Sequence, residues 1–362
     1  MRISDITEFF TPAAMKDSFS RLKKSPAFTG FVLFLLALVL NAAVQGPGSF
    51  FSSRSLNTLF ATNIPFLLIV MAQGVLLISG TLDVSSGVQL VLVNVVTIMT
   101  VQEWGIPFAL GCLFGILAAI AASLICWLCV SVLRLPDLLA SYALTFAILG
   151  VNVLIMDSPQ GKIPREVFRA YDTVLLGFFP VSAFALIVVI LLWLYVKRTT
   201  FGTNIYAVGA NPQNAFAAGI SPVKVQFQAF LLKGLLVGIA GLCMTFMTAS
   251  GNPVGGEALG LRSLAACIIG GLTFGGWGSM AGAAFGGGFL ILIQNSVYFV
   301  FKLISEIFPG LVFSTYWHNL LSDVIIFLGL LLTIVTAKAQ REALRISIQN
   351  KFTFRRRKEH AR

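Results

Sequence analysis

The chain has 362 residues, 57% hydrophobic and only 11% charged, with a mean hydropathy of +0.91. Those values exclude a soluble globular domain and indicate a polytopic membrane protein. The formal net charge of +11 sits in the tails and short loops, as the positive-inside rule produces, so no nucleic-acid partner is expected.

A membrane-crossing helix needs about 20 mostly apolar residues. Ten stretches fit, near 27–44, 60–79, 84–101, 107–133, 137–156, 174–196, 225–248, 259–276, 279–301 and 319–337. The third and eighth are rich in Gly, Ser or Asn, which leaves them open to being broken or partly re-entrant. The predicted fold class is therefore an all-α membrane protein, a polytopic helical bundle of about ten transmembrane helices. Residues 1–26 form an N-terminal tail, 27–337 the transmembrane domain and 338–362 a basic C-terminal tail.

Ten spans place both termini on one side. The N-terminal tail carries Arg2, Lys16, Arg21, Lys23 and Lys24, and nine basic residues lie between Lys338 and Arg362. Both ends are thus predicted to be cytoplasmic. Arg355, Arg356, Arg357 and Lys358 suit anionic headgroups, which makes membrane lipids a partner. The 157–173 loop, with its balanced charges, falls outside. A first span preceded by some 25 polar residues does not read as a cleavable signal.

Enzyme chemistry finds no footing. His318 and His360 are the only histidines, there is no HExxH and no GxxxxGK[ST]. The five cysteines all sit in apolar runs, and the CxxC of Cys126 and Cys129 has no second pair or flanking His. No metal and no cofactor are expected. The glycine-rich stretch 270–288 contains no Lys or Arg, so it reads as helix packing rather than a phosphate cradle. Its packing candidates are Gly270, Gly271, Gly275, Gly276, Gly282 and Gly286. Gly234 and Gly238 repeat the small-residue spacing.

Polar groups inside spans mark either helix contacts or a pathway. In SGTLDVSSG at 79–87, Asp83 sits with glycines and hydroxyls between two apolar segments. It either marks a helix broken within the membrane or caps the third span in a cytoplasmic turn. Asn63, Gln73, Asn94, Ser141, Asn152, Gln294 and Asn295 add neutral polar groups within spans. Such groups suit an uncharged polyhydroxylated cargo. The absence of a ladder of buried carboxylates or histidines argues against a proton-coupled carrier. The predicted translocation pathway is Asp83, Ser85, Asn94 and Asn295.

Between two apolar runs lies YAVGANPQNAFAAGIS, residues 206–221. Asn211 is a good N-cap, Pro212 suits the first helical position, and Gly219 suits the left-handed residue that ends a helix. Ser221 and Pro222 repeat the start signal. The spacing predicts a separate helix from Pro212 to Ala218, about 10 Å long.

Several stretches together resemble permease subunits of bacterial ATP-binding-cassette importers for simple sugars, of the ribose, xylose and arabinose type. LLISGTLDVSSG at 76–87 is similar to that family's Asp-centred glycine motif, and RLPDLLASYALTFAILG at 134–150 to its proline-led helix. TTFGTNIYAVGANPQNAFAAGISPVKV at 199–225 matches most closely, and AACIIGGLTFGGWGSMAG at 265–282 and Tyr316–Trp317 complete the set in family order. Thr81, Ser86 and Leu272 depart from the pattern, and the segment 302–317 is longer than usual.

The resemblance implies an importer permease in the bacterial inner membrane with no catalysis of its own. Its partners would be ABC ATPase subunits, a periplasmic or lipid-anchored sugar-binding protein and a second permease subunit. It also implies that the 212–218 helix docks on the ATPase, with Asn211, Pro212, Gln213, Ala215, Phe216, Ala218 and Gly219 forming the coupling element. Ala215, Ala217 and Ala218 would let its backbone sit close to the partner, with Phe216 as anchor. Asp83 favours a monosaccharide over a nucleoside or branched-chain amino acid, which stay open as cargo. The alternative of another class is a stand-alone secondary carrier.

Overall fold

A computed structural model describes residues 27–175, 179–273, 276–308 and 313–336. Both predicted tails, residue 337 and Gly275 lie outside the described residues. The described chain is almost entirely helical. In order it runs α1 (Phe28–Gln45), α2 (Pro47–Phe50), α3 (Ser53–Ile78), α4 (Ser86–Gln102), α5 (Phe108–Trp127) with a π-helical extension Leu128–Val132, and α6 (Asp137–Ile155). Then come α7 (Arg165–Tyr171), a two-residue hairpin of β1 (Val174–Leu175) and β2 (Phe179–Pro180), α8 (Ala183–Lys197) and α9 (Thr200–Ala210). The last five are α10 (Pro212–Ala217), α11 (Pro222–Thr248), α12 (Glu257–Ile269), α13 (Met280–Ile307) and α14 (Thr315–Thr336).

Among the described residues, six helices, α1, α3, α5 with its extension, α6, α11 and α13, are long and apolar enough to cross a membrane. Counting α8 and α9, bent by 80° at Arg198–Thr199, as one span makes seven. Each of the ten predicted stretches contains helix, but ten crossings are more than these lengths and compositions support. The shortfall has a local cause at the third and eighth stretches. Residues 79–85 are non-helical, so α4 begins only at Ser86 and is 17 residues long. At the other end of the eighth stretch, α12 stops at Ile269 with Gly270 as its C-cap, and Gly271 (φ 86) turns the backbone away, so α12 has 13 residues, about 20 Å.

The core centres on α3, α4 and α11. Helix α11 packs along α5, α3 and α4, and α13 packs on α1, α12 and α3. Small residues set the approach: a Cβ at Gly234 would stand 2.8 Å from the Ile120 Cα of α5, and one at Gly238 3.1 Å from the Ile116 Cα. By contrast α5, α6 and α8 expose long rows of Leu, Ile and Phe, such as Leu154 at 86%, as lipid-facing helices do.

Helix α3 carries Pro65 in its interior. Proline removes the N–H that would bond the carbonyl of Ala61. The Tyr171 hydroxyl, delivered by α7, donates to that carbonyl at 2.9 Å. The loop before α8 thus repairs a backbone group that α3 cannot satisfy alone.

Candidate functional site

Residues 79–85 leave α3 and return into α4 through a buried turn. Gly80 takes φ +82, and the hydroxyls of Ser79 and Thr81 bond each other at 2.9 Å. Asp83 is fully buried. One carboxylate oxygen accepts from the Ser85 N–H (2.8 Å) and hydroxyl, and the other accepts from Gln89 Nε2 (3.1 Å) and from Lys233 Nζ of α11 (2.7 Å). Lys233 also donates to Gln89 Oε1 and to the Ser123 hydroxyl of α5 (3.2 Å), while that hydroxyl donates to Gln89 Oε1 at 2.9 Å. None of these residues is exposed. The group is a closed ion pair joining the 79–85 turn, α4, α5 and α11, with both carboxylate oxygens accepting two hydrogen bonds each. A buried pair of this kind contributes position more than net stability, because desolvation offsets the attraction.

Lys233 escaped the reading of the sequence. The signal was present: a lysine in the middle of the 225–248 apolar run requires a counter-charge, and Asp83 was already singled out. Asp137, in the first turn of α6, accepts from the Leu82 N–H at 3.1 Å and braces the same turn.

The four expected pathway residues do not converge. Asp83 and Ser85 belong to the ion-pair network. Asn94 donates to Thr245 Oγ1 and the Ser250 carbonyl (both 3.1 Å) and accepts from the Asn252 N–H (2.9 Å), so it pins the segment after α11. Asn295 donates to Asn41 of α1 at 2.9 Å and faces a cavity of about 350 Å³ between α3 and α13. That cavity also touches Thr58, Thr62 and Asn63, and it adjoins a second of about 220 Å³ lined by Thr62, Asn63, Arg262 and Gln294. Of the other polar span residues, Asn152 donates to the Val88 carbonyl at 3.3 Å, while the buried Gln73 amide has no hydrogen-bond partner.

The short helix forms as its sequence signals require. Asn211 Oδ1 accepts from the N–H groups of Gln213 (2.9 Å) and Asn214 (3.0 Å), and Pro212 opens the helix. It is one residue shorter than expected: α10 ends at Ala217, and Ala218 is the C-cap. Gly219 (φ +83) then lets the Gly219 N–H reach the Phe216 carbonyl and the Ile220 N–H reach the Ala215 carbonyl, both at 2.9 Å. Ala215 is buried against this chain's own core, so it is not free to approach a partner, whereas Phe216 is 71% exposed.

Helix α10 hangs from a glycine junction. A Cβ at Gly209, at the end of α9, would collide with the Ile78 carbonyl of α3 and lie 2.9 Å from the Gly276 Cα. Gly276 (φ +75) meets the Ala210 backbone, and a Cβ at Gly80 would sit 3.3 Å from the Gly209 Cα. The chain leading into α10 is therefore clamped between the 79–85 turn and the loop after α12. Elsewhere in the glycine-rich stretch, Gly270, Gly282 and Gly286 bring α12 and α13 into backbone contact, and Gly271 (φ +86) turns the loop.

This arrangement, apolar helices around a buried polar turn with a short self-capped helix whose Phe216 is exposed, is that of a multi-pass membrane protein. Residues 55–333 match the family described as the branched-chain amino acid transport system / permease component, and the chain belongs to it. Among curated relatives, the fructose import permease protein FrcC of Rhizobium meliloti is 28% identical over 283 residues, covering 73% of this chain and 76% of its own. The probable ABC transporter permease protein YphD of Escherichia coli K12 is 28% identical, covering 86% and 92%. The autoinducer 2 import system permease protein LsrC of Photorhabdus luminescens is 26% identical, covering 68% and 75%. No solved structure matches.

Proposed function

We propose that this chain is the permease subunit of an ATP-driven importer that moves a neutral monosaccharide across the inner membrane. The ATP is hydrolysed by separate subunits, and a binding protein delivers the cargo to a pair of permeases. Both termini and α10 face the cytoplasm in this reading. The observation that carries it is α10 itself. An isolated six-residue helix would not hold its shape, yet here both ends are capped and its root is clamped between two loops of the membrane core. Such an element can transmit a push. The exposed Phe216 supplies the apolar contact for an ATPase subunit. Relatives named as import permeases support the same task.

Asp83 and Ser85 shape the route by fixing the turn, and Asn295 lines it. The family description, which names branched-chain amino acids, supports a second reading for the cargo. Competition of labelled sugar uptake by leucine or by a nucleoside decides between them. The coupling role is tested with Ala218→Glu in a co-purification from gently solubilised membranes. The variant is expected to insert and to lose its ATPase partner, and unchanged co-purification with unchanged transport would refute the docking.

A further inference from the structure

The two adjoining cavities carry an assignment beyond that reading, although it rests on it. We propose that the cargo runs along the seam of α3, α12 and α13, and that Thr58, Thr62, Asn63, Gln294, Asn295 and Arg262 form its binding wall for a neutral, polyhydroxylated ring. Thr62 and Asn63 line both cavities, so the two spaces of about 350 and 220 Å³ adjoin at these side chains. The smaller one touches Pro65, where the hydrogen-bond ladder of α3 is interrupted.

The chemistry of the wall selects the ligand. Thr58, Thr62 and Asn63 return their donors to α3 carbonyls, at 3.0, 2.7 and 2.9 Å from Arg54, Thr58 and Leu59. Asn295 gives its donor to Asn41. Asn63 also donates to the Thr62 hydroxyl at 3.0 Å; the lone pairs that remain on these oxygens can accept, and the Asn295 and Gln294 amides offer both donors and acceptors. Sugar hydroxyls donate and accept in the same way. Arg262 is held by Asp323 of α14 at 3.0 Å, and no carboxylate is among the residues that line either space. An amino acid's ammonium group would find no counter-charge there.

The seam also has a direction. The larger cavity reaches Ser49, Ser52 and Arg54 at the start of α3, while from Leu68 to Ile78 that helix is buried at every position. Both cavities therefore lie along the half of α3 remote from α10, the side from which an importer receives its cargo in this reading.

The test uses the whole transporter, permease with ATPase and binding protein, in vesicles and a panel of labelled pentoses and hexoses. For the sugar imported best, Asn63→Leu and Gln294→Leu are each expected to lower uptake kcat/KM about tenfold or more, the loss of at least one hydrogen bond to cargo. ATPase stimulation by loaded binding protein should persist, as should uptake in the lipid-facing control Leu154→Ala. In Thr58→Cys, labelling at that position by a water-soluble maleimide should be slowed by saturating sugar. Normal uptake in both leucine variants, or labelling indifferent to sugar, overturns the wall. No sugar uptake by the unmodified transporter overturns the proposed function itself.

Discussion

Four side chains, Asp83, Gln89, Ser123 and Lys233, make a polar centre in a molecule whose interior is otherwise mostly apolar. Removing one charge leaves the other buried and alone, which costs about 3–5 kcal/mol. Lys233→Met is therefore expected to lower the thermal midpoint of the detergent-solubilised protein sharply. Adding Asp83→Asn, which removes the stranded charge, keeps an oxygen for Ser85 and offers an N–H to the Gln89 carbonyl once that amide turns over, should restore most of the loss. Equal midpoints for the single and double variants would show that the pair is not held as an ion pair. At the same scale, Tyr171→Phe strands the Ala61 carbonyl and should cost about 1–3 kcal/mol. In a Pro65→Ala background, where the helix supplies its own donor, the Tyr171→Phe penalty should shrink, as unfolding curves of the four proteins would reveal.

Among elements, the glycine junction decides how α9 and α10 are attached to the membrane core. Gly209→Ala has no room, since its new methyl would meet the Ile78 carbonyl and the Gly276 backbone. Backbone cannot rotate aside as a side chain can, so the expected outcome is poor assembly or an α10 displaced from its register, at a cost of about 1–3 kcal/mol or more. Gly150→Ala is the comparison: it lies within α6 with nothing within 4 Å of the added Cβ. It should be neutral or stabilise by up to about 1 kcal/mol. Size-exclusion profiles of the two variants check this, and equal profiles would mean that the junction tolerates a methyl.

Across the whole molecule, the buried ion pair, the glycine junction and the polar seam fall along one helix, α3. The seam occupies its first half, Gly80 and the Asp83 turn follow its end, and α10 hangs from Gly209 beside that end. A displacement of α10 is thus applied where α3 turns, not where the cavities lie. Phe216→Ala should weaken ATPase docking, read as faster loss of the partner during purification, while sugar protection at Thr58→Cys stays intact. Loss of both together would place Phe216 in the fold of this chain instead of at its partner surface.

Local signals determined a good deal without the structure. Asn211, Pro212 and Gly219 act on backbone within a few residues, so α10 was legible almost to its last residue. Apolar run length marked where helices lie, and the ordered motifs marked the family. Runs of hydrophobic residues do not reveal where a backbone leaves helix, however: the turn at 79–85 delays α4 to Ser86, and the turn at Gly270–Gly271 ends α12 after 13 residues. What only the tertiary structure decided is which distant residues meet. Lys233 lies 150 positions from Asp83, and Asn63 and Gln294 share a cavity while Asn94 does not. Those pairings follow from packing helices remote in sequence, which a code of local spacing does not contain.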